Sequence, residues 1–387
     1  MPRKKTEVEE VKDFIESPAP EKSSQKIKTK LLPQNMISLG STMLNLAATN
    51  CAAGGLLKGR YYILIGASGS GKTWLYHAVF AESTLHKRFK NYRLIKDQPE
   101  KGSDFDVAYY FGKKTAERIE EAWPDRLDEN GNPIPDSRTA DEFYDNVENK
   151  LTEAEKAGQG IIYVLDSMDA LSTSQFEEYN ESNKKARADG KAEAGSYGDG
   201  KAKINSQRLR SIVNRLDVSG SILIIICQER DNIGSRFGGK TFSGGNALLF
   251  YACMQLWLKK IGAINATING KTRNLGSKTE CQILKNRLTG QQDKDVELSF
   301  YHNFGIDDVG DMIDFLIEEK RFTGGKTSVS KIEAQDDFGV SLNKESLIAY
   351  IQEDIEREKK LKEICQEVWT DIQDQIASKT KRVNRYE

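Results

Sequence analysis

Residues 66 to 73, GASGSGKT, satisfy the pattern G-x-x-x-x-G-K-[ST] at every fixed position, and no other segment constrains the fold as strongly. Tyr61, Tyr62, Ile63, Leu64 and Ile65 precede it as an apolar run suited to a buried strand, and residues 74 to 80 follow it with a helical pattern. A strand, a glycine-rich turn and a helix in that order gather backbone N–H groups and a helix N-terminus around one point, which is how proteins hold a polyphosphate. The chain is therefore expected to be an α/β protein built around this strand.

Composition narrows the setting. With 387 residues, 38 % hydrophobic and 30 % charged, the chain can bury one large core and one or two smaller units. Cys51, Cys227, Cys253, Cys281 and Cys365 have no metal-ligand spacing, and three of them lie in apolar runs, so reduced core thiols are expected. There is no run of eighteen apolar residues and no apolar segment behind the charged N-terminus, which predicts a cytoplasmic protein with no membrane partner. A formal net charge of -1 offers no global attraction to nucleic acid, so DNA binding would have to come from local basic loops aligned by assembly.

Residues 1 to 34 mix Lys, Glu, Ser and Pro and read as a flexible arm, with one small apolar patch at Val11, Phe14 and Ile15. Residues 35 to 322 read as the core. Strands are expected at 92–95, 161–165, 222–227, 252–258 and 279–284, with helices at 143–156 and 205–216, an alternation that implies a mostly parallel central sheet flanked by helices. Two polar stretches interrupt it. Residues 125–136 read as a surface loop or hairpin, and residues 172–203, with six basic and six acidic side chains, as a flexible solvent-facing loop. Residues 323 to 387 read as a linker and a small helical C-terminal unit, because Leu347, Ile351, Ile355, Leu361, Cys365, Val368, Ile372 and Ile376 mark one helical face.

In the loop, Gly66, Ala67, Ser68, Gly69, Ser70 and Gly71 supply the cradle, Lys72 a point charge for the outer phosphates, and Thr73 a hydroxyl for Mg2+. Asp166 ends an apolar strand and is the expected second Mg2+ carboxylate, with Ser167 beside it assisting through water. ATP and Mg2+ are thus the expected ligands. Hydrolysis needs a group that orients or deprotonates water, and the acids past the strand at 92–95 are candidates: Glu100 first, Asp97 in reserve.

Residues 222 to 263, ILIIICQERDNIGSRFGGKTFSGGNALLFYACMQLWLKKIGA, closely resemble the RecA recombinase family from its ATP-sensing glutamine through its second DNA-binding loop. ISLGSTMLNLA at 37 to 47, GGLLKGR before the phosphate loop and LKNR at 284 to 287 are similar to further family landmarks. The resemblance spans about residues 37 to 320 and is nearest to virus-encoded and other divergent members, which would act in a host cytoplasm. It implies a RecA-type P-loop ATPase core, with Gln228 sensing ATP and Lys285 and Arg287 reaching a neighbouring subunit's ATP. It also implies DNA-binding loops near 172–203 and 229–245. In the second, Arg230, Arg236 and Lys240 suit phosphates, Phe237 and Phe242 suit bases, and Gly244, Gly245 and Asn246 close the loop. In the first, Lys201, Lys203 and Arg208 are the better candidates.

The function implied is a DNA-dependent ATPase that forms helical filaments on single-stranded DNA, then pairs it with a homologous duplex and exchanges strands. A mediator or single-strand-binding protein is a possible partner. Two alternatives stay open: a hexameric motor of the helicase or clock-ATPase type sharing the fold, and a non-catalytic nucleotide-binding recombination regulator.

Overall fold

Alternation along the strand Arg60–Gly66 divides the core in two. Tyr62 and Leu64 face one apolar layer with residues of the helix Lys72–Leu85, while Tyr61, Ile63 and Ile65 face another with residues of the helices Ala140–Ala157 and Lys201–Ser219. The strand Ile222–Asp231 splits the same way: Ile222, Ile224 and Ile226 join the first layer, and Leu223, Ile225 and Cys227 the second. All are buried, and each such side chain stabilises the fold by about 1.5–3 kcal/mol. Burial on both faces explains why these strands read as continuous apolar runs. The computed structural model describes residues 31–100, 105–189, 200–231, 240–325 and 330–379.

Among the described residues the sheet has ten strands. Its path runs Gly305–Ile306, Lys294–Tyr301, Lys271–Asn286, Met254–Ile268, Arg60–Gly66, Ile222–Asp231, Ile161–Leu165, Arg93–Asp97 and Ile119–Glu121, with Lys240–Phe242 folded back onto the end of Ile222–Asp231. The six strands from Met254–Ile268 to Ile119–Glu121 are parallel. The phosphate loop, Asp166 and Gln228 consequently leave the same carboxyl-end edge, where crevices between strand tips hold ligands. Among the described residues, no helix is long and apolar enough to cross a membrane.

Asp97 ends its strand fully buried, and its carboxylate accepts from the Ser137 amide at 2.8 Å, the Ser137 hydroxyl at 2.7 Å and the Tyr163 hydroxyl at 2.8 Å. Burial pushes its carboxyl up to about 6 despite these donors. Asp136 accepts from the Gln98 amide at 2.7 Å, so the 125–136 segment, whose Leu127 and Pro133 pair as in a hairpin, ends by clamping the strand that leads to Glu100. Tyr163→Phe removes one donor from a buried carboxylate. It is expected to cost about 1.5–3 kcal/mol, read as a lower urea midpoint with unchanged slope.

Two expectations need correction. Residues 172–203 are not one flexible loop, because Ser174–Ala188 is a helix: the Thr173 hydroxyl accepts from the Phe176 amide as its N-cap, Glu177 lies in its first turn and Lys185 and Arg187 in its last. Charge balance conceals such a helix, since it has almost no apolar face. The C-terminal unit also contains a small antiparallel sheet, Thr323–Gly324, Ile332–Ala334 and Val340–Leu342, beside the helices Lys344–Gln352 and Ile355–Lys379. Leu347, Ile351, Leu361 and Cys365 pack with Leu46 and Met312 in one apolar cluster that joins this unit to the core.

Candidate active site

The phosphate loop is shaped by contacts that only glycine permits. A Cβ on Gly66 would lie 2.4 Å from the Leu258 carbonyl oxygen, and one on Gly71, at φ +98°, would meet the Phe300 ring at 2.6 Å. Gly69 has nothing within 4 Å of its Cβ position, so the crown of the loop is open to a ligand. Lys72 is 8 % exposed, and its ammonium donates to the carbonyls of Gly66 and Ala67, both at 2.7 Å. Burial lowers its pKa, and Asp166, Glu100 and Asp169 counter that by their charge.

The second strand tip meets the loop at Thr73, whose hydroxyl donates to Asp166 Oδ2 at 3.3 Å. Burial, and then Glu100, push the Asp166 carboxyl up to about 6. The buried Ser70 hydroxyl has no hydrogen-bond partner among the described residues. A polyphosphate with Mg2+ fits these groups: an open crown, an orphaned hydroxyl, an ammonium, and a hydroxyl–carboxylate pair of hard oxygen donors.

Glu100 and Gln228 converge here from different strands. Gln228 Nε2 donates to Glu100 Oε1 at 2.6 Å, and the Ser167 hydroxyl to Glu100 Oε2 at 3.3 Å. Asp97, the reserve candidate, faces away into the Ser137–Tyr163 pocket. The Asp166–Ser167 peptide is cis. Asp169, which sequence reasoning missed, accepts from the Gln228 amide at 2.6 Å through Oδ2 and pairs with Arg230 Nη2 at 3.0 Å through Oδ1.

The two loop regions share one base. The Asn205 side chain, from the helix after the first, donates to the Gly244 carbonyl at 2.7 Å and accepts from the Tyr144 hydroxyl at 2.8 Å. Gly244 and Gly245 have positive φ, and a Cβ on Gly245 would lie 2.6 Å from the Ala202 Cβ. Asn246 starts the helix Asn246–Tyr251 and is exposed, Phe242 is partly buried against the core, and Arg230 is exposed. Arg236 and Phe237 lie outside the described residues, and Lys240 enters only as backbone of its strand.

Lys201 does not offer its charge to solvent: the residue is 5 % exposed and its ammonium donates to the Leu171 carbonyl at 2.8 Å, tying the helix start to the strand-tip turn. Arg208 is engaged by Asp145 and, at 3.4 Å, by Glu148. Lys203 is exposed. Burial, and then Arg287, push Lys285 down to about 8, and its ammonium donates to the carbonyls of Leu249 at 2.5 Å and Phe250 at 2.8 Å. The Arg287 guanidinium lies over the Phe250 ring, 5.6 Å from its centroid.

One basic element escaped the sequence reading. Beyond the register pair Gly66 and Leu258, Met254–Ile268 and Lys271–Asn286 continue past the phosphate-loop edge as a ribbon, flanked by Lys294–Tyr301 as far as Gly276 and two-stranded from there to its tip. It carries Lys259, Lys260, Lys271, Arg273 and Lys278 with no acid between Lys259 and Glu280 in sequence; the first four are exposed, and Lys278 pairs with Glu297 of the adjoining strand at 3.6 Å. The signal was a local run of one charge sign in a neutral chain.

The RecA N-terminal domain model matches residues 162–307. Protein RecA of Cytophaga hutchinsonii is 30 % identical over 292 residues, which is 73 % of this chain and 68 % of that protein. Protein RecA of Geobacter sulfurreducens is 28 % identical over 284 residues, 73 % of this chain and 72 % of that protein. A shorter match, 35 % over 120 residues, covers 31 % of this chain and 34 % of Protein RecA of Geobacter metallireducens. With a phosphate loop, a mostly parallel sheet and this extended likeness, the chain belongs to the RecA family.

Proposed function

We propose that the protein is a DNA-dependent ATPase that assembles as a helical filament on single-stranded DNA and promotes pairing and strand exchange with a homologous duplex. The observation that carries this reading is the hydrogen bond from Gln228 Nε2 to Glu100 Oε1 at 2.6 Å, on the strand that runs on into Arg230 and the second loop. One backbone thus links the group that would meet the terminal phosphate to the group that would meet DNA.

In this mechanism the loop amides and Lys72 hold the ATP phosphates, and Thr73 and Asp166 hold Mg2+, which when bound neutralises charge on those phosphates. Glu100 takes the proton of the attacking water, and Gln228 and Ser167 keep its carboxylate aimed. Lys285 and Arg287 act on the neighbouring protomer's ATP, which ties turnover to assembly. Arg230 and Lys203 contact single-strand phosphates, and repetition along a filament converts these few contacts into avidity. The exposed cations of the ribbon, on the same edge, offer the duplex a second phosphate surface.

The test is ATP hydrolysis with and without single-stranded DNA, alongside negative-stain images with a slowly hydrolysed ATP analogue. Stimulation by single strands and open helical filaments are expected, with the stimulated turnover lost in Lys72→Ala. Closed rings with DNA-independent turnover would replace this reading with a ring-shaped motor, and nucleotide binding without hydrolysis would replace it with a regulator.

A further inference from the structure

Asp169 occupies the turn Met168–Ala170, three residues past Asp166, and touches both ends of the proposed coupling. Its Oδ2 fixes the backbone amide of Gln228 at 2.6 Å, and its Oδ1 stands 3.0 Å from Arg230 Nη2. The partners are unequally solvated: the Asp169 side chain is 6 % exposed and the Arg230 side chain 57 %. The ion pair is also poorly directed, because Oδ1 is a buried atom with no hydrogen bond among the described residues. An exposed guanidinium in such a contact is weakly held, whereas a phosphate offers it two parallel, charge-assisted hydrogen bonds.

We propose that Asp169 is a positioning residue that couples DNA to ATP, holding Arg230 in the DNA-free protomer and surrendering it to a DNA phosphate. The proposal rests on the DNA-dependent ATPase reading. Once Arg230 leaves, the buried Asp169 carboxylate has lost its guanidinium and concentrates on the Gln228 amide. That fixes the backbone from which Gln228 reaches Glu100. DNA then acts on the water-activating pair through one exchanged arginine, and the same exchange sets a threshold for DNA binding. Burial already disfavours the Asp169 charge, which heightens its demand for the remaining donor.

The experiment is fluorescence anisotropy of a labelled oligothymidine, without nucleotide and with a slowly hydrolysed ATP analogue, across a salt series. Asp169→Asn keeps an acceptor for the Gln228 amide and removes the charge that holds Arg230. Nucleotide-free binding is expected to tighten about 5- to 20-fold with the slope of log affinity against log salt little changed, because both complexes make the same phosphate contacts and only the cost of releasing Arg230 is removed. Arg230→Ala is expected to weaken binding and to erase the effect of Asp169→Asn in the double variant.

A second variant, Arg230→Gln, changes an exposed side chain and keeps the test alive if Asp169→Asn does not fold. By freeing Asp169 it mimics bound DNA, and DNA-independent ATP turnover is expected to rise about 3- to 10-fold. Unchanged affinity in Asp169→Asn, an equal effect with Arg230 absent, or parental basal turnover in Arg230→Gln would each overturn the proposal while leaving the ATPase reading intact. A parent protein that binds no oligothymidine under any nucleotide condition would remove that reading, and the proposal with it.

Discussion

Glu100→Gln is expected to lower ATP turnover by roughly 100- to 10,000-fold while nucleotide affinity stays within about 3-fold, because general-base catalysis is lost and the phosphate contacts are kept. The substitution preserves shape and leaves an oxygen to accept from Gln228, so the change isolates proton acceptance. Asp97→Asn makes the contrast. Asp97 has no face toward the phosphate loop, and its oxygens are taken up by Ser137 and Tyr163. Its loss should appear chiefly as a lower denaturation midpoint. Single-turnover hydrolysis and binding of a fluorescent nucleotide in both variants separate the two roles. Parental turnover in Glu100→Gln, with loss in a folded Asp97→Asn, would move the base to Asp97.

Much of this site was legible because its parts are local or periodic. The phosphate loop declares itself through fixed spacing, and the strand Ile161–Leu165 through an apolar run that ends in an acid. Glu100 was distinguishable from Asp97 only through the fold. Both follow the same strand, and it is the segment ending in Ser137, forty residues away along the chain, that claims Asp97. Asp169 was illegible for a similar reason: an acid in a turn acquires meaning only when the strand Ile222–Asp231 brings Gln228 and Arg230 to it. Lys201 shows the converse, a lysine in a polar stretch that nevertheless lies buried on the Leu171 carbonyl. Side-chain type gave the possible chemistry of each residue, while direction and partner came from tertiary contacts far apart in sequence.

Lys285→Ala combined with Arg287→Ala is expected to reduce DNA-stimulated turnover by roughly 1,000-fold or more, the scale of a cationic finger supplied in trans. Register supports this proposed role in another protomer. Lys285 pairs with Gln255 and Gln255 with Ile63, three residues before Gly66 on the phosphate-loop strand. Arg287 is further back, its amide donating to the Cys253 carbonyl, while the Cys253 amide donates to Tyr61. That separates Lys285 from its own loop by about 10 Å along the strand and about 10 Å across two strand spacings, with its ammonium turned onto the carbonyls of Leu249 and Phe250. A head-to-tail interface gives a mixing test. The finger variant has an intact phosphate loop and Lys72→Ala an intact finger, so each alone is inactive. Mixed one to one, they form a working pair at about one quarter of the interfaces, and turnover should recover to about that fraction of the parent's. Recovery requires that the two halves of a site come from different chains. No recovery on mixing, despite co-assembly seen by electron microscopy, would return Lys285 and Arg287 to a structural role within their own protomer.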